Sequence, residues 1–262
     1  MKYWIFFFSF LICFGSFGQR SKQRSKSYTD DKKEHFPSYF GIQFKPLFAT
    51  NFISSSRLKL QGSELTANYN QKFGFSFGGT VRVGLSKIIN LETGLNFVQR
   101  NYDINFSIHS PTTQLDAKTE FRIIAYDIPV NALFHIKLSE KFYMNASLGA
   151  SLAYLPSNVW KTYIINSFEK FMHEGRRFSK FYGEMNGNIG FEFRTKDIGF
   201  FYLGASIKVP FKPIFQIAAA YERSGYTQVL RGNVSGSYLT LDLRYYFKNN
   251  GEKNRLRGPI EQ

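Results

Sequence analysis

Alternation of apolar and polar residues dominates the chain between residues 38 and 247. It is clearest in residues 72–86, whose two faces are Phe73, Phe75, Phe77, Val81, Val83 and Leu85, and Lys72, Gly74, Ser76, Thr80, Arg82 and Ser86. A period of two places successive side chains on opposite faces of a strand, so this segment is predicted to be a β-strand with one apolar face. The pattern recurs seven times, in residues 38–49, 89–100, 121–138, 141–155, 181–195, 198–211 and 236–247. The sequence therefore predicts an all-β protein with eight strands.

The connections between these segments alternate in length. Tight turns follow the second, fourth and sixth segments, at residues 86–88, 139–140 and 195–197. The other connections are longer, roughly twenty residues or more, and outer-membrane barrels combine short periplasmic turns with long extracellular loops in this way. An even number of strands puts both termini at the short-turn end, so we expect both on the periplasmic side.

A water-soluble barrel would show the same alternation with its apolar face inward. Two features favour a membrane location for the strands. Segments of about ten to fifteen residues exceed ordinary globular strands and suit a tilted membrane crossing, and charged residues recur on the face opposite the apolar one. The predicted fold is an eight-stranded up-and-down antiparallel transmembrane β-barrel. Ten strands are the alternative, if the first and fourth long connections add strand pairs.

The third segment changes phase near Gln99. Before that residue its apolar positions have odd numbers, and after it Tyr102, Ile104 and Phe106 have even numbers. An extra residue in one strand of an antiparallel pair shifts the alternation by one, so we interpret this change as a β-bulge.

The chain begins with a predicted signal peptide, residues 1–18. Lys2 precedes an apolar run of about fourteen residues that is too short to span a bilayer and ends in small residues suited to signal peptidase. Cys13, the only cysteine of the sequence, lies in that run and follows Ile12, where lipoprotein processing requires a small residue. The exported chain is therefore expected to lack thiol chemistry.

Two polar segments flank the predicted barrel, which we place at residues 38–247. Residues 19–37 are rich in Lys and Arg and have no periodic apolar pattern, as expected of a flexible segment. Residues 248–262 form a similar polar, basic tail.

Composition narrows the classes of function. The chain of 262 residues is 18% aromatic, carries a formal net charge of +15 and has one cysteine. The aromatic content excludes a disordered chain, and the single cysteine excludes a disulfide-stapled scaffold. The positive charge favours the phosphates of lipopolysaccharide or an acidic partner. We expect no nucleic-acid partner, because an exported chain rarely meets nucleic acid.

The face opposite the apolar one carries charge on nearly every strand. If the apolar face contacts lipid, the charged face lines the lumen, which eight strands make just wide enough for side chains to fill. Cations and anions are present in comparable numbers and buried charges are tolerated when paired, so a hydrogen-bonded plug is favoured over a gated polar path or a small-ligand pocket. The candidate lumen residues are Lys45, Arg82, Glu92, Arg100, Asp127, His135, Lys137, Glu184, Glu192, Arg194, Lys208, Asp242 and Arg244.

The third long connection has apolar residues at a different spacing. They are Trp160, Tyr163, Ile164, Phe168, Phe171 and Met172. Intervals of three and four residues predict an amphipathic helix within residues 157–175. Such a helix would lie on the anionic outer leaflet, grip a partner, or pack over the mouth of the barrel.

Candidate catalytic groups are scarce. Asp127, His135 and Lys137 share one face, but their spacing places no nucleophile beside the histidine. The sequence contains no CxxC, HxxxH or acidic cluster with the spacing of metal ligands. We therefore expect no enzyme activity, no metal and no cofactor, with a lipid-modifying activity as the least favoured alternative.

Three short elements resemble a known family. They are Gly18-Gln19 at the end of the signal peptide, YDIPV at residues 126–130, and LDLRYYF at residues 241–247. Together they resemble the Bacteroidetes outer-membrane β-barrel family that includes PorT-like proteins, over nearly the whole predicted barrel. The last of them looks like the signal read by the barrel-assembly machinery.

This resemblance implies an integral outer-membrane protein with no catalytic residues. Some members of the family serve protein secretion and gliding. We therefore expect a monomeric barrel in contact with outer-membrane lipid and lipopolysaccharide, with a structural or accessory role in a secretion or surface-assembly complex. A narrow channel or small-ligand transporter that uses the charged lumen is the alternative.

Overall fold

The computed structural model describes residues 38–51, 55–86, 88–111, 113–195 and 198–248. The predicted signal peptide, the basic segment and nearly all of the polar tail lie outside them. Within the described ranges there are thirteen strands. They are β1 (Ser38–Ala49), β2 (Arg57–Gln61), β3 (Leu65–Gly84), β4 (Ile89–His109), β5 (Gln114–Lys137), β6 (Phe142–Tyr154), β7 (Val159–Asn166), β8 (Glu169–Arg177), β9 (Phe181–Arg194), β10 (Gly199–Pro210), β11 (Phe215–Arg223), β12 (Tyr226–Val234) and β13 (Tyr238–Phe247).

In the part of the chain covered by these ranges, no helix combines the length and the apolarity that a membrane crossing requires.

Nine of the strands form one antiparallel sheet. Its order is β1-β13-β10-β9-β6-β5-β4-β3-β2, and β1 also pairs with β3. Strand β1 thus has a partner along both of its edges, β13 on one side and β3 on the other. The prediction of an all-β, antiparallel, up-and-down architecture is confirmed. The total of eight strands is wrong for the described chain, because β2, β7, β8, β11 and β12 are additional.

The first strand of this sheet begins, and the last strand ends, beside the short turns. Ser38, which opens β1, pairs with Val83 next to the turn between β3 and β4. Phe247, which closes β13, pairs with Gly199 next to the turn between β9 and β10. We call the half of the strands next to these turns the lower half, and the half next to the long connections the upper half.

The two halves differ in where they place their apolar side chains, as β5 shows. Its exposed face changes from Asp116, Lys118, Glu120 and Arg122 in the upper half to Tyr126, Ile128, Val130, Phe134 and Ile136 in the lower half. Its buried face changes in the opposite sense at the same level, from Phe121, Ile123 and Ala125 to Asp127 and Asn131. Apolar groups face inward in water and outward in lipid. The exposed face of β5 therefore changes from charged to apolar near residue 124.

Strand β4 explains the change of phase in the sequence. Its even-numbered residues stay on the buried side from Glu92 through Arg100 to Ile108, so the predicted bulge at Gln99 is wrong. The apolar residues simply move from the exposed to the buried face as the strand enters the upper half. The irregularity in pairing lies in β3, between Lys72 and Phe75.

The long connections contribute a second sheet beside the upper half of the first. It is four-stranded, with the order β12-β11-β8-β7. One face of it packs on the upper half, where Phe106 of β4 stacks on Phe171 of β8 with ring centroids 3.9 Å apart. The side chain of Gln228 in β12 accepts hydrogen bonds from the backbone amides of Glu64 and Leu65. The apolar core that results includes Leu65, Tyr69, Ile104, Phe106, Ile108, Ile123, Phe171, Phe215, Ile217, Ala219 and Tyr221.

The predicted helix within residues 157–175 is wrong. The segment forms the hairpin of β7 and β8. Phe171 is buried in the core, whereas Trp160, Ile164 and Phe168 are 77%, 75% and 74% exposed. An interval of four residues also keeps two side chains on one face of a strand. A hairpin of two such strands therefore reproduces the spacing of a helical stripe.

Candidate functional site

The candidate site is the buried face of the lower half, where ionised side chains converge. Arg82 of β3 lies at its centre and is 1% exposed. One guanidinium nitrogen donates to Glu92 at 3.0 Å and to the hydroxyl of Tyr246 at 2.9 Å, and another pairs with Glu192. Four different strands are joined by this one arginine, β3 with β4, β9 and β13.

A second group of contacts continues the network along β13. Arg244 pairs with both Glu92 and Asp242. Asp242 lies 3.3 Å from the ammonium of Lys45 in β1 and accepts a 2.6 Å hydrogen bond from the Ser206 hydroxyl in β10. Asn188 of β9 also donates to this carboxylate at 3.1 Å, so Asp242 is buried among donors from four strands.

A third group of contacts lies nearer the upper half. The ammonium of Lys208 in β10 pairs with Asp127 of β5 and lies 3.0 Å from Glu184 of β9. Arg100 of β4 lies 3.5 Å from the same Glu184 and 4.6 Å above the ring of Tyr238. Because Tyr238 belongs to the apolar core, this group marks the level at which the buried charged residues meet the apolar upper half.

The remaining predicted lumen residues lie at the lower rim. Arg194 pairs with Glu192 at 2.9 Å, and His135 lies 3.4 Å from the same carboxylate. Lys137 is exposed, because it lies two residues before the turn and reaches solvent. Twelve of the thirteen predicted residues therefore meet within the described lower half, and Lys137 does not. Asp127, His135 and Lys137 are not brought together.

The charges of this network nearly balance. Among the described residues, the cations are Lys45, Arg82, Arg100, Arg194, Lys208 and Arg244, and the carboxylates are Glu92, Asp127, Glu184, Glu192 and Asp242. Desolvation of an ion costs several kcal/mol unless it is paired and hydrogen-bonded. The arrangement therefore suits a packed plug.

Sequence reasoning missed the tyrosines that complete the network. Tyr246 bonds to Arg82, and the Tyr202 ring lies 4.6 Å below the guanidinium of Arg244. Tyr202 packs against Gly190 and Gly204, which are paired on neighbouring strands and leave room for its ring. The signal was present, since Tyr202 and Tyr246 fall on the face opposite the apolar one in their segments, but only charged side chains are selected from the sequence as lumen candidates.

A buried histidine lies beneath the four-stranded sheet. His173 of β8 is 1% exposed, and its Nδ1 lies 3.1 Å from the hydroxyl of Tyr69. Its ring centroid is 4.4 Å from that of Phe121. Burial among these rings lowers the pKa of His173 to about 4, because the charged form loses its hydration.

Stability of the upper half should fall as the pH drops below neutrality. A histidine in an unfolded chain has a pKa near 6.5. Between pH 6.5 and 4 the unfolded state therefore binds a proton that folded His173 does not, which costs at most about 1.4 kcal/mol per pH unit. Hydrogen exchange of the β8 amides at pH 7 and pH 4.5 measures this. His173→Phe should remove the difference, and an equal difference in the variant would contradict the assignment.

The described ranges contain no group of three or more His, Cys, Asp or Glu side chains placed to hold a metal ion.

Comparisons with known proteins give one family match and several similar solved structures. Residues 17–216 match the family model described as outer membrane protein beta-barrel domain. No curated protein sequence matches the chain. The crystal structure of the outer membrane protein OprG from Pseudomonas aeruginosa aligns over 82% of this chain and 98% of its own, with 11% identity and a TM-score of 0.46. The solid-state NMR structure of outer membrane protein AlkL in DMPC bilayers covers 88% and 98%, with 11% identity and a TM-score of 0.39.

The family match spans 200 of the 262 residues. The match also extends over the strands that carry most of the buried network, from β1 to β10. The chain therefore belongs to the outer membrane protein beta-barrel domain family and is an outer-membrane protein.

Proposed function

We propose that β1, β3, β4, β5, β6, β9, β10 and β13 form a closed eight-stranded transmembrane barrel whose lumen does not conduct. We further propose that the protein has a structural or accessory role at the cell surface. Closure is supported by the two partners of β1, since a strand paired on both edges leaves no open edge there. The filled lumen is the observation that carries the proposed role.

The lumen is filled in two different ways along its length. In the lower half, paired charged side chains fill the lumen, and Arg82, Glu192 and Asp242 are each at most 1% exposed. In the upper half, the apolar core takes their place. An ion passing through would have to break buried pairs, each at a cost of about 3–5 kcal/mol, and then enter an apolar region. This argues against the channel or transporter alternative.

Planar-bilayer recordings of the purified protein should show no single-channel steps. A porin with an open lumen, inserted in the same bilayer, is the positive control that the membrane and electrodes report conductance. Regular steps from the wild-type protein would overturn the proposal and support a narrow channel.

The proposed orientation places both termini in the periplasm and the upper half outside the cell. Strands β3, β4 and β5 have 20, 21 and 24 residues, whereas about 9–11 residues suffice to cross a bilayer. In barrels of this class the excess length and the long connections lie on the extracellular side. The four-stranded sheet would then face the medium.

An accessory role is supported by the β7–β8 hairpin. Ile164 and Phe168 are large apolar side chains, three quarters exposed in the part of the molecule that we place in water. Exposed apolar patches of this kind mark protein interaction sites. A secretion or surface-assembly complex is the partner class that the PorT-like resemblance implies.

Co-purification after extraction in mild detergent tests this role. The wild-type protein should retain its partners, and the double variant Ile164→Ser, Phe168→Ser should lose them without a change in barrel stability. Tyr226→Ser, at an exposed aromatic residue of β12 on the same sheet, is the matched control and should retain them. A wild-type protein that always elutes alone would contradict the accessory role.

A further inference from the structure

The outward face of the four-stranded sheet contains a depression built from matched rows of side chains. Cross-strand pairing sets the rows, one strand to the next from β7 through β8 and β11 to β12. One row is Trp160, Glu174, Ala218 and Arg231, and the next is Thr162, Met172, Ala220 and Val229. The two alanines on β11 leave a low floor between taller neighbours on both sides.

A cavity of 710 Å³ lies over this floor. That volume is within the range of small-molecule sites. Asn158, Thr162 and Gln216 also line it and supply hydroxyl and amide groups. The cavity thus combines a flat apolar floor with polar groups at its margin.

The margin carries surplus positive charge. Lys161, Arg176 and Arg231 line the cavity together with one carboxylate, that of Glu174. Glu174 is already paired with Arg176 at 2.6 Å. Lys161 and Arg231 form no ion pair with any residue in the described ranges. A ligand with negative charge would complement them.

We propose that this depression binds an acidic saccharide. Binding by the purified protein does not depend on the proposed extracellular placement, which decides only whether the site meets saccharides outside the cell. The apolar face of a sugar ring fits the alanine floor beside the indole of Trp160, which is 77% exposed. A sugar carboxylate matches the guanidinium of Arg231, which can bind it through two parallel hydrogen bonds.

An acidic peptide fits this place less well. Extended peptides bind sheets by pairing with a free edge, but the depression lies over β8 and β11, whose backbones are already paired on both sides. A ring that lies flat over short side chains needs no backbone pairing. The position of the cavity within the sheet therefore favours a saccharide.

Tryptophan fluorescence of the purified full chain tests the proposal. Trp160 is the one tryptophan between residues 19 and 262, so after removal of the predicted signal peptide the emission reports on this site alone. Oligogalacturonate of four units should change the emission saturably. The neutral galactose oligosaccharide of equal length should change it at least tenfold more weakly, because it lacks the carboxylates that pair with Arg231.

Three variants complete the test. Arg231→Gln should weaken oligogalacturonate binding about tenfold, and Ala218→Leu should abolish it by filling the floor. Arg122→Gln, which removes an exposed arginine from β5, should have no effect. No saturable change in the wild type would overturn the proposal, as would an oligoglutamate peptide that binds equally well and is insensitive to Ala218→Leu.

A second experiment tests the proposed orientation independently of the saccharide site. An epitope inserted at Gly225, in the open turn between β11 and β12, should be accessible to antibody on intact cells. Saccharide binding by the purified protein without accessibility on cells would overturn the orientation and leave the site standing. Accessibility without binding would overturn the site alone.

Discussion

Arg82→Gln is expected to lower the free energy of unfolding by about 3 kcal/mol. The substitution leaves Glu92 and Glu192, both nearly inaccessible to solvent, without their shared cation. The loss stays at the low end of the range for a broken buried pair because Glu92 retains Arg244 and Glu192 retains Arg194. Urea titration of the barrel in lipid vesicles, followed by the gel shift on boiling, measures the change.

Two further variants make this result interpretable. Arg122→Gln removes the same side chain from the exposed face of the upper half and should change stability by about 0.5 kcal/mol or less. Adding Glu192→Gln to Arg82→Gln should recover part of the loss, because one uncompensated carboxylate disappears. An unchanged unfolding midpoint in the single variant would show that the lumen charges do not depend on one another.

Val130→Arg is expected to destabilise the protein by about 2–4 kcal/mol. Val130 is 51% exposed and lies midway along the apolar part of the exposed face of β5, between Tyr126 and Phe134. A guanidinium there must be placed in the hydrocarbon or must distort the bilayer to reach water. The free energy of unfolding in vesicles is again the quantity to measure.

The same strand offers a matched control for this substitution. Gln114→Arg places an arginine on the same face of β5 but at the top of the upper half, where it should cost about 1 kcal/mol or less. Equal, small effects at the two positions would mean that the apolar part of β5 is not in lipid. The water-soluble arrangement would then have to be reconsidered, although the buried charges speak against it.

The lower half was largely predictable from sequence because the sense of its alternation, apolar on the exposed face and charged on the buried face, does not change along it. Period two then separates the lipid-facing from the buried side chains, and twelve of the thirteen predicted lumen residues meet in the network. The exception, Lys137, shares the face but lies so close to the turn that its side chain reaches water. Alternation predicts the face of a strand on which a residue lies, but not how close that residue is to the end of the strand.

The upper half was poorly predictable because the sense of the alternation reverses there. Val98 and Tyr102 lie on the same side of β4 as Glu92. The alternation in the lower half predicts polar residues on that side, so these two apolar residues do not fit it. The sequence therefore predicts a bulge in β4, and it predicts long connections where the structure has the strands of the second sheet. Partner choice was also out of reach, since Arg82 and Glu192 are 110 residues apart and meet only through the strand order.

The reversal of polarity along β5 also fixes how deeply the molecule is immersed. If the barrel sank by one residue pair, Arg122 and then Glu120 would enter hydrocarbon, and if it rose, Ile124 and Tyr126 would enter water. Each displacement costs several kcal/mol of free energy once the strands around the barrel move together. A membrane thinner or thicker than the apolar band must therefore adjust to the protein. The protein would consequently sort by bilayer thickness, and its neighbours in the outer membrane would be lipids that match it.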